Sequence, residues 1–415
     1  MKKVHSIEAF LQDDVRGGSG GHTPSPRTLL PPRRTPVTSH GRLFLRWLGF
    51  LCLPATLTAT ASYARALTDS GNTTALEQSV EWLRGHHFGD TVSWVEQIYY
   101  SHNQPPGGGT LTGGLPAAVS DATTTTSASG APGASAAVDR IAPLASAPVA
   151  GEGVWQPYGD AVNGTAAMQI AYLRPDDVHG TVLAAVVRIN QAVTVFRLVP
   201  GSKEPGHGSW PNGNAVATGD LPNLIAAFNS GFRLADSRGG YVEDGRTVAP
   251  LRTAAASLVI DSNGRLDVTS WPGPAAGTTS VAVRQNLDLI VDQSTPVAGL
   301  DDNSGNRWGQ TLGNKLFVWR SGVGIDAQGR VLYVASEGLS VRTLAALLQR
   351  AGAVRAMELD INHSWVSFNV FHHGASGSLT GTKLLAGMSK PATRYLHPDT
   401  RDFVSVVTRA TNGHA

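Results

Sequence analysis

Ser340 to Asn362 reads SVRTLAALLQRAGAVRAMELDIN, and two periodicities meet inside it. Val341, Leu344, Ala345, Leu348 and Ala351 recur at threes and fours and form one apolar stripe, which predicts a helix. Ser340 stands where an N-terminal cap is wanted, and Gly352 where a left-handed residue ends the helix. From Val354 the pattern changes to strict alternation. In an extended strand Met357, Leu359 and Ile361 point to one face, while Glu358, Asp360 and Asn362 line up on the other.

Working backwards, the same chain offers several hairpins. Ser257 to Asp261, the turn Ser262-Asn263-Gly264-Arg265 and Leu266 to Val268 predict one whose Asn-Gly supplies positive φ angles. Asp326-Ala327-Gln328-Gly329 repeats the device between Val323 to Ile325 and Val331 to Val334. Residues 182–198 read as two strands around Asn190-Gln191. Hairpins mixed with few helices predict an α+β domain over 154–410, a hairpin-rich mixed sheet flanked by a few helices.

Ahead of that domain the composition shifts three times. Residues 104–153 collapse into Pro, Gly, Ala, Ser and Thr, the makings of a flexible tether that cannot bury a core. Residues 67–103 carry helical spacing, with Leu76, Val80 and Leu83 and later Val92, Trp94, Val95, Ile98 and Tyr99, broken by Gly85 and Gly89 into a short stalk. Trp47 to Ser62 holds no charge, and with Leu43, Phe44 and Leu45 the stretch 43–66 is long enough for a membrane anchor. The basic, low-complexity residues 1–42 then read as a disordered cytoplasmic tail. A cleaved signal peptide ending near Ala66 competes, because Ala64-Arg65-Ala66 fits the small-x-small pattern of a cleavage site. The overlong leader favours the anchor, which would make a single-pass membrane protein with the domain outside the cytoplasm; the alternative is a secreted product.

Composition narrows the function. A formal charge of +2 over 415 residues lacks the basic excess that neutralises a phosphate backbone, so nucleic acid is not expected as a partner. One cysteine excludes an internal disulfide framework and a cysteine-built zinc site. The domain holds no Gly-Lys-Ser/Thr phosphate loop, no Gly-x-Ser-x-Gly elbow and no His-Glu-x-x-His. No metal or cofactor is expected, His363 with His372-His373 reading as loop histidines.

Three polar side chains on one face of a buried strand are costly unless they bond to each other, to an ion or to a ligand. Glu358, Asp360 and Asn362 are therefore the leading site candidates, with His363 beside them. Asn229-Ser230-Gly231, at the end of a strand-like run, pairs an amide donor and acceptor with a residue that permits close backbone approach. Arg284 and Arg320 stand in apolar surroundings, where a guanidinium fork suits a phosphate diester or a structural carboxylate equally well.

In order, Ala226 to Phe232, Gly240-Tyr241 with Asp244-Gly245-Arg246, Ala256 to Gly264, Val283 to Leu287, Arg320 to Gly329 and Gly338 to Asn362 resemble the phosphodiester glycosidase family over about residues 165–410. The resemblance implies hydrolysis of the bond between a sugar's anomeric carbon and a diesterified phosphate. It implies that Asn229 and Gly231 belong to an early signature, Arg320 to the arginine ahead of a Gly hairpin, and Asp360 to a Leu-Asp strand end. The chain departs from the family where Asp-Gly-Gly is typical and Asp360-Ile361-Asn362 stands instead.

Two readings follow. As an enzyme, Asp360 and Glu358 would serve a cationic transition state, Arg320 and Arg284 would bind the departing phosphate, and Asn229 would orient sugar or water, with Gly231, Asn362 and His363 lining the substrate. The substrate would be a sugar-1-phosphodiester of an envelope glycan or polymer. As a non-catalytic module, the same pocket would bind such polymers without turnover.

Overall fold

The computed structural model describes residues 58–68, scattered positions between 75 and 117, and 139–409 apart from 207–209, 211–212, 274–279, 310–316 and 375–376. The chain divides into two units, 1–61 and 62–415. The expected tail over 1–42, the apolar residues 43–57 with Cys52, and the stalk aromatics Trp94 and Tyr99 lie outside the described residues.

Eighteen described strands follow in chain order: β1 (Gln156–Val162), β2 (Thr165–Leu173), β3 (Ala184–Ile189), β4 (Thr194–Val199), β5 (Leu224–Asn229), β6 (Tyr241–Glu243), β7 (Arg246–Ala249), β8 (Ala256–Asp261), β9 (Leu266–Ser270), β10 (Ser280–Gln285), β11 (Leu289–Asp292), β12 (Thr295–Pro296), β13 (Val318–Asp326), β14 (Val331–Leu339), β15 (Ala353–Glu358), β16 (Phe368–His373), β17 (Leu379–Lys383) and β18 (Phe403–Thr408). They form three sheets. The first runs β1-β2-β3-β14-β13-β15-β11-β12, the second β7-β6-β10-β8-β9 and the third β17-β16-β5-β18-β4. Every strand pairing among them is antiparallel.

The expected α+β class is corrected by this arrangement: the domain is mostly β. Its main core lies between sheets, joining Tyr333 and Met357 of the first, Leu258 and Val268 of the second, and Phe228, Phe368 and Val406 of the third. The helix α1 (Val341–Arg350) is present, with Val341, Leu344, Ala345, Leu347 and Leu348 buried, but it only covers the other face of the first sheet. A sheet-on-sheet core closes most of the apolar faces, which leaves one helix-sized face to cover.

The expected membrane anchor over 43–66 is also not supported. Among the described residues no helix is long and apolar enough to cross a membrane. The described helical residues 58–68 are each solvent-exposed or half-buried. Tyr63 in this stretch packs its ring 5.1 Å from that of Trp82.

The local devices are clear. Ser340 caps α1 by accepting from Thr343 N at 3.0 Å, while Thr343 Oγ1 accepts from Ser340 N at 2.8 Å. Gly352 ends the turn after it at φ +102°. In the β8–β9 turn Asp261 Oδ1 accepts from Asn263 N and Arg265 N at 2.9 and 2.8 Å, and Gly264 alone takes a positive φ. Asp326 does the same between β13 and β14, accepting from Gln328 N and Arg330 N, with Gly329 positive. β3 and β4, by contrast, do not pair with each other: β3 joins the first sheet and β4 the third. Gln191 between them clamps both hairpins, donating to Leu266 O and Gly329 O and accepting from Leu266 N.

Part of the Pro/Gly-rich stretch belongs to the folded domain. Ile141 is buried against the helix side of the first sheet, and Glu152 is sealed in an ion pair with Arg174 at 2.9 Å.

Candidate active site

Three sheets deliver chain ends to one place: β5 ends on Asn229, β10 on Gln285, β15 on Glu358, and β18 begins after Asp402. Alternation decides what each end presents. On β13, Val323 belongs to the inter-sheet core, whereas Gly322 lies against Leu344 and Leu348 of α1. Arg320 and Ser321 therefore face opposite ways.

Arg320 points to the helix side. Its Nη1 donates to Glu358 Oε1 and its Nε to Leu339 O at 2.8 Å, beside the N-terminus of α1. Glu358 is sealed from solvent, and burial pushes its carboxyl up, with the Asp360 charge adding and Arg320 opposing. Ser321 points to the inter-sheet side, where its Oγ accepts from Asn229 Nδ2 at 3.0 Å. Asn229 is saturated: its Oδ1 accepts from Tyr333 OH at 2.8 Å and Ser367 N at 3.1 Å, and its amide also donates to Ser230 O. It locks the third sheet to the first.

Asp360 lies just past β15, its carbonyl accepting from Ser321 N at 2.9 Å. Its Oδ2 accepts from Arg401 Nη2 at 3.4 Å, and its Oδ1 from Asn362 N at 2.9 Å. Asn362 repeats this turn by accepting from Ser364 N. Neither Ile361 nor Asn362 takes a positive φ, so non-glycine residues are unstrained where Gly-Gly was expected. His363 is turned aside, its Nε2 bonded to Gly387 O at 3.0 Å.

Gly231 is required by a close approach. A Cβ there would sit 2.8 Å from Asn286 Cγ. Asn286 in turn donates to Glu358 O and Leu359 O at 2.7 and 2.9 Å and accepts from Phe232 N, tying the second and third sheets to the end of β15. Arg284 is committed to the fold: Nε donates to Asp402 at 2.7 Å, Nη1 to Gln285 O and Nη2 to Phe232 O. Burial alone would lower the Arg284 pKa, but the charge and hydrogen bond of Asp402, with Glu204 and Tyr241 adding, together hold it raised.

Glu358, Asp360, Asn229, Gly231 and Arg320 thus share one neighbourhood, but Arg284 and Arg320 face carboxylates in it. Sequence reasoning missed Arg401 and Glu204. Arg401 is buried beside Asp360, also donates to Gly231 O at 3.2 Å, and lies 4.9 Å from the Trp365 ring centroid. Glu204 is half-buried on a loop whose Lys203 N and Glu204 N bond to Thr400 O. Burial pushes its carboxyl up, while Arg401 and Arg284 oppose this and Asp402 adds to it. A run of Arg401-Asp402 before a strand has no local signature; only its position after folding marks it.

Among the described residues, buried Ser230 Oγ, Thr400 Oγ1, Arg401 Nε, Glu358 Oε2 and Asp402 Oδ1 have no hydrogen-bond partner. Three are donors and two are acceptors, gathered at the same chain ends. Orphaned buried polar atoms are costly, so such a cluster marks a place where a ligand or water completes the bonding. No group of three or more metal-type ligands occurs among the described residues.

Residues 222–360 match the family model of the phosphodiester glycosidases. The resemblance read from the sequence is borne out over that stretch. Among solved structures, the catalytic domain of zebrafish N-acetylglucosamine-1-phosphodiester alpha-N-acetylglucosaminidase, auto-inhibited by its pro-peptide, aligns at 15% identity and TM-score 0.38, over 60% of this chain and 86% of that one. A hypothetical protein from Synechocystis aligns at 14% identity and TM-score 0.34, over 60% and 64%. A putative exported protein from Burkholderia pseudomallei aligns at 15% and 0.33, over 55% and 74%. No curated relative matches the chain by sequence.

Proposed function

We propose that the domain hydrolyses the bond between the anomeric carbon and the phosphate of a sugar-1-phosphodiester carried by an extracytoplasmic glycan or polymer. The observation that carries this reading is the pairing of Asp360 with Arg401, a carboxylate and a guanidinium 3.4 Å apart, among unpartnered donors and acceptors. The match of residues 222–360 to the phosphodiester glycosidases supports the substrate class.

Cleavage at an anomeric carbon passes through an oxocarbenium-like state, which a neighbouring carboxylate stabilises. Asp360 takes that role. Arg401 and the Ser230 hydroxyl would receive the phosphate oxygens, where fixed donors act most strongly on developing charge. Glu204, with its raised pKa, is the second carboxyl and serves as acid and base. Glu358, Arg320, Arg284 and Asn229 hold these groups in place.

Incubating the full chain with a panel of sugar-1-phosphodiesters and assaying released reducing sugar tests the reading. Turnover on at least one supports it; saturable binding with no turnover on any of them replaces it with the glycan-binding module. The proposed export, with cleavage near Ala66, is checked by the N-terminal sequence of the protein recovered outside the cell.

A further inference from the structure

Just outside the Asp360 neighbourhood, an aromatic side chain stands at the rim with no part in the bonding just described. Trp319 sits at an irregularity of the β13–β14 ladder, where Val318 pairs with Leu339 but Arg320 with Ser336, so Glu337 and Gly338 lie opposite one residue. The bulge re-aims the neighbouring side chains. One side of the Trp319 indole packs on the inter-sheet core, and the residue stays half-buried.

Three residues complete the setting. The His363 ring stands 5.3 Å from the indole at 46°. A carbonyl can only accept, so His363 Nε2 donates to Gly387 O, and in the neutral ring Nδ1 is then an acceptor. Exposed Gly387 lies beside the indole and puts no side chain over it: a Cβ there would lie 3.2 Å from Trp319 Cζ2 and 3.8 Å from Glu337 Oε2. An indole edge without a covering side chain, bordered by two acceptors of which one is a carboxylate, suits a neutral, hydroxyl-rich ring with an apolar C–H face.

The geometry points to a sugar subsite on Trp319, with Glu337 and His363 Nδ1 accepting from hydroxyl groups. His363 follows Asn362 directly, and Trp319 is adjacent to Arg320, so the subsite adjoins the chemistry and takes the neutral sugar next to the scissile one. The ligand class is a neutral oligosaccharide segment of the polymer. This rests on the proposed hydrolase reading for its biological sense, but not for its test.

The full chain is titrated by calorimetry with N-acetylchitohexaose, cellohexaose and mannohexaose, none of which carries phosphate. Saturable binding of one of them is expected, weakened about tenfold by Trp319→Ala and several-fold by Glu337→Gln, and largely kept by Trp319→Phe. Gly387→Leu covers the indole edge without removing the ring and should weaken binding as Trp319→Ala does, which guards against a folding defect. Absence of binding by all three oligosaccharides, or unchanged binding in both Trp319→Ala and Gly387→Leu, overturns the subsite. A wild type that binds an oligosaccharide yet hydrolyses no sugar-1-phosphodiester would remove the hydrolase reading and leave the subsite standing.

Discussion

Asp360 and Arg401, 41 positions apart in the chain, meet where the first and third sheets end, with Arg401 Nη2 donating to Asp360 Oδ2 and to Gly231 O. One guanidinium therefore bridges the end of β15 and the loop after β5. Its Nε has no partner among the described residues, which separates it from Arg284, whose fork is fully used.

Asp360→Asn keeps the size and most of the hydrogen bonding but deletes the negative charge. Turnover should fall by about a thousandfold, since only the transition state needs that charge. Release of reducing sugar, measured beside a thermal melt that shifts little, checks this; a melt that collapses in step with activity counts against it.

Arg401→Lys and Arg284→Ala should fail in different ways. The first replaces a planar fork by a point charge and should cost roughly a hundredfold in kcat/KM with a near-normal melt. The second strands buried Asp402 and should cost about 3–5 kcal/mol of stability. Urea unfolding of both variants, run alongside kinetics, distinguishes them.

Gly231→Ala places a Cβ 2.8 Å from Asn286 Cγ. The amide must move, loosening its bonds to Glu358 O and Leu359 O, for a loss of about 1–3 kcal/mol. Activity should drop as well, because the same amide fixes the end of β15 that carries Asp360.

Glu204→Gln tests the second carboxyl. A pKa raised mainly by burial keeps the wild-type group protonated to higher pH, so an acid role predicts activity that falls as pH rises through that raised value. The glutamine variant should be slow throughout and lack that alkaline limb. A pH–rate profile identical to wild type would dismiss Glu204 from the mechanism.

Glu243 offers a stability test away from the chemistry. Burial pushes its carboxyl up to about 7 from 4.5, with Asp244 and Asp402 adding, although Tyr241 OH donates to it at 2.6 Å. The folded state then binds more protons than the unfolded one between those values. Its contribution is complete below pH about 4.5 and is lost as pH rises through about 7. Glu243→Gln keeps an acceptor for Tyr241 and should be more stable than wild type above pH 7, by on the order of 1–3 kcal/mol in chemical denaturation.

The sequence by itself determined what local sterics and nearest-neighbour hydrogen bonds decide. The two Asp-to-Gly turns, at Asp261 to Gly264 and Asp326 to Gly329, and both ends of α1 stand where the residues place them, because the bonds that shape each are to residues within a few positions. Alternation singled out Asp360 as a candidate on a strand read through Asn362, whereas β15 ends at Glu358. The sheet to which each strand belongs was a different matter. β3 and β4 are four residues apart, yet they join different sheets, a choice made by which apolar faces find partners across the core. That choice made the domain mostly β and brought Arg284 to Asp402 across 118 positions. Only the tertiary structure could turn Arg320 toward α1, bring Arg401 to Asp360 and set Glu204 in the field of Arg401. A strand's period fixes which residues share a face, whereas long-range pairing fixes what that face meets.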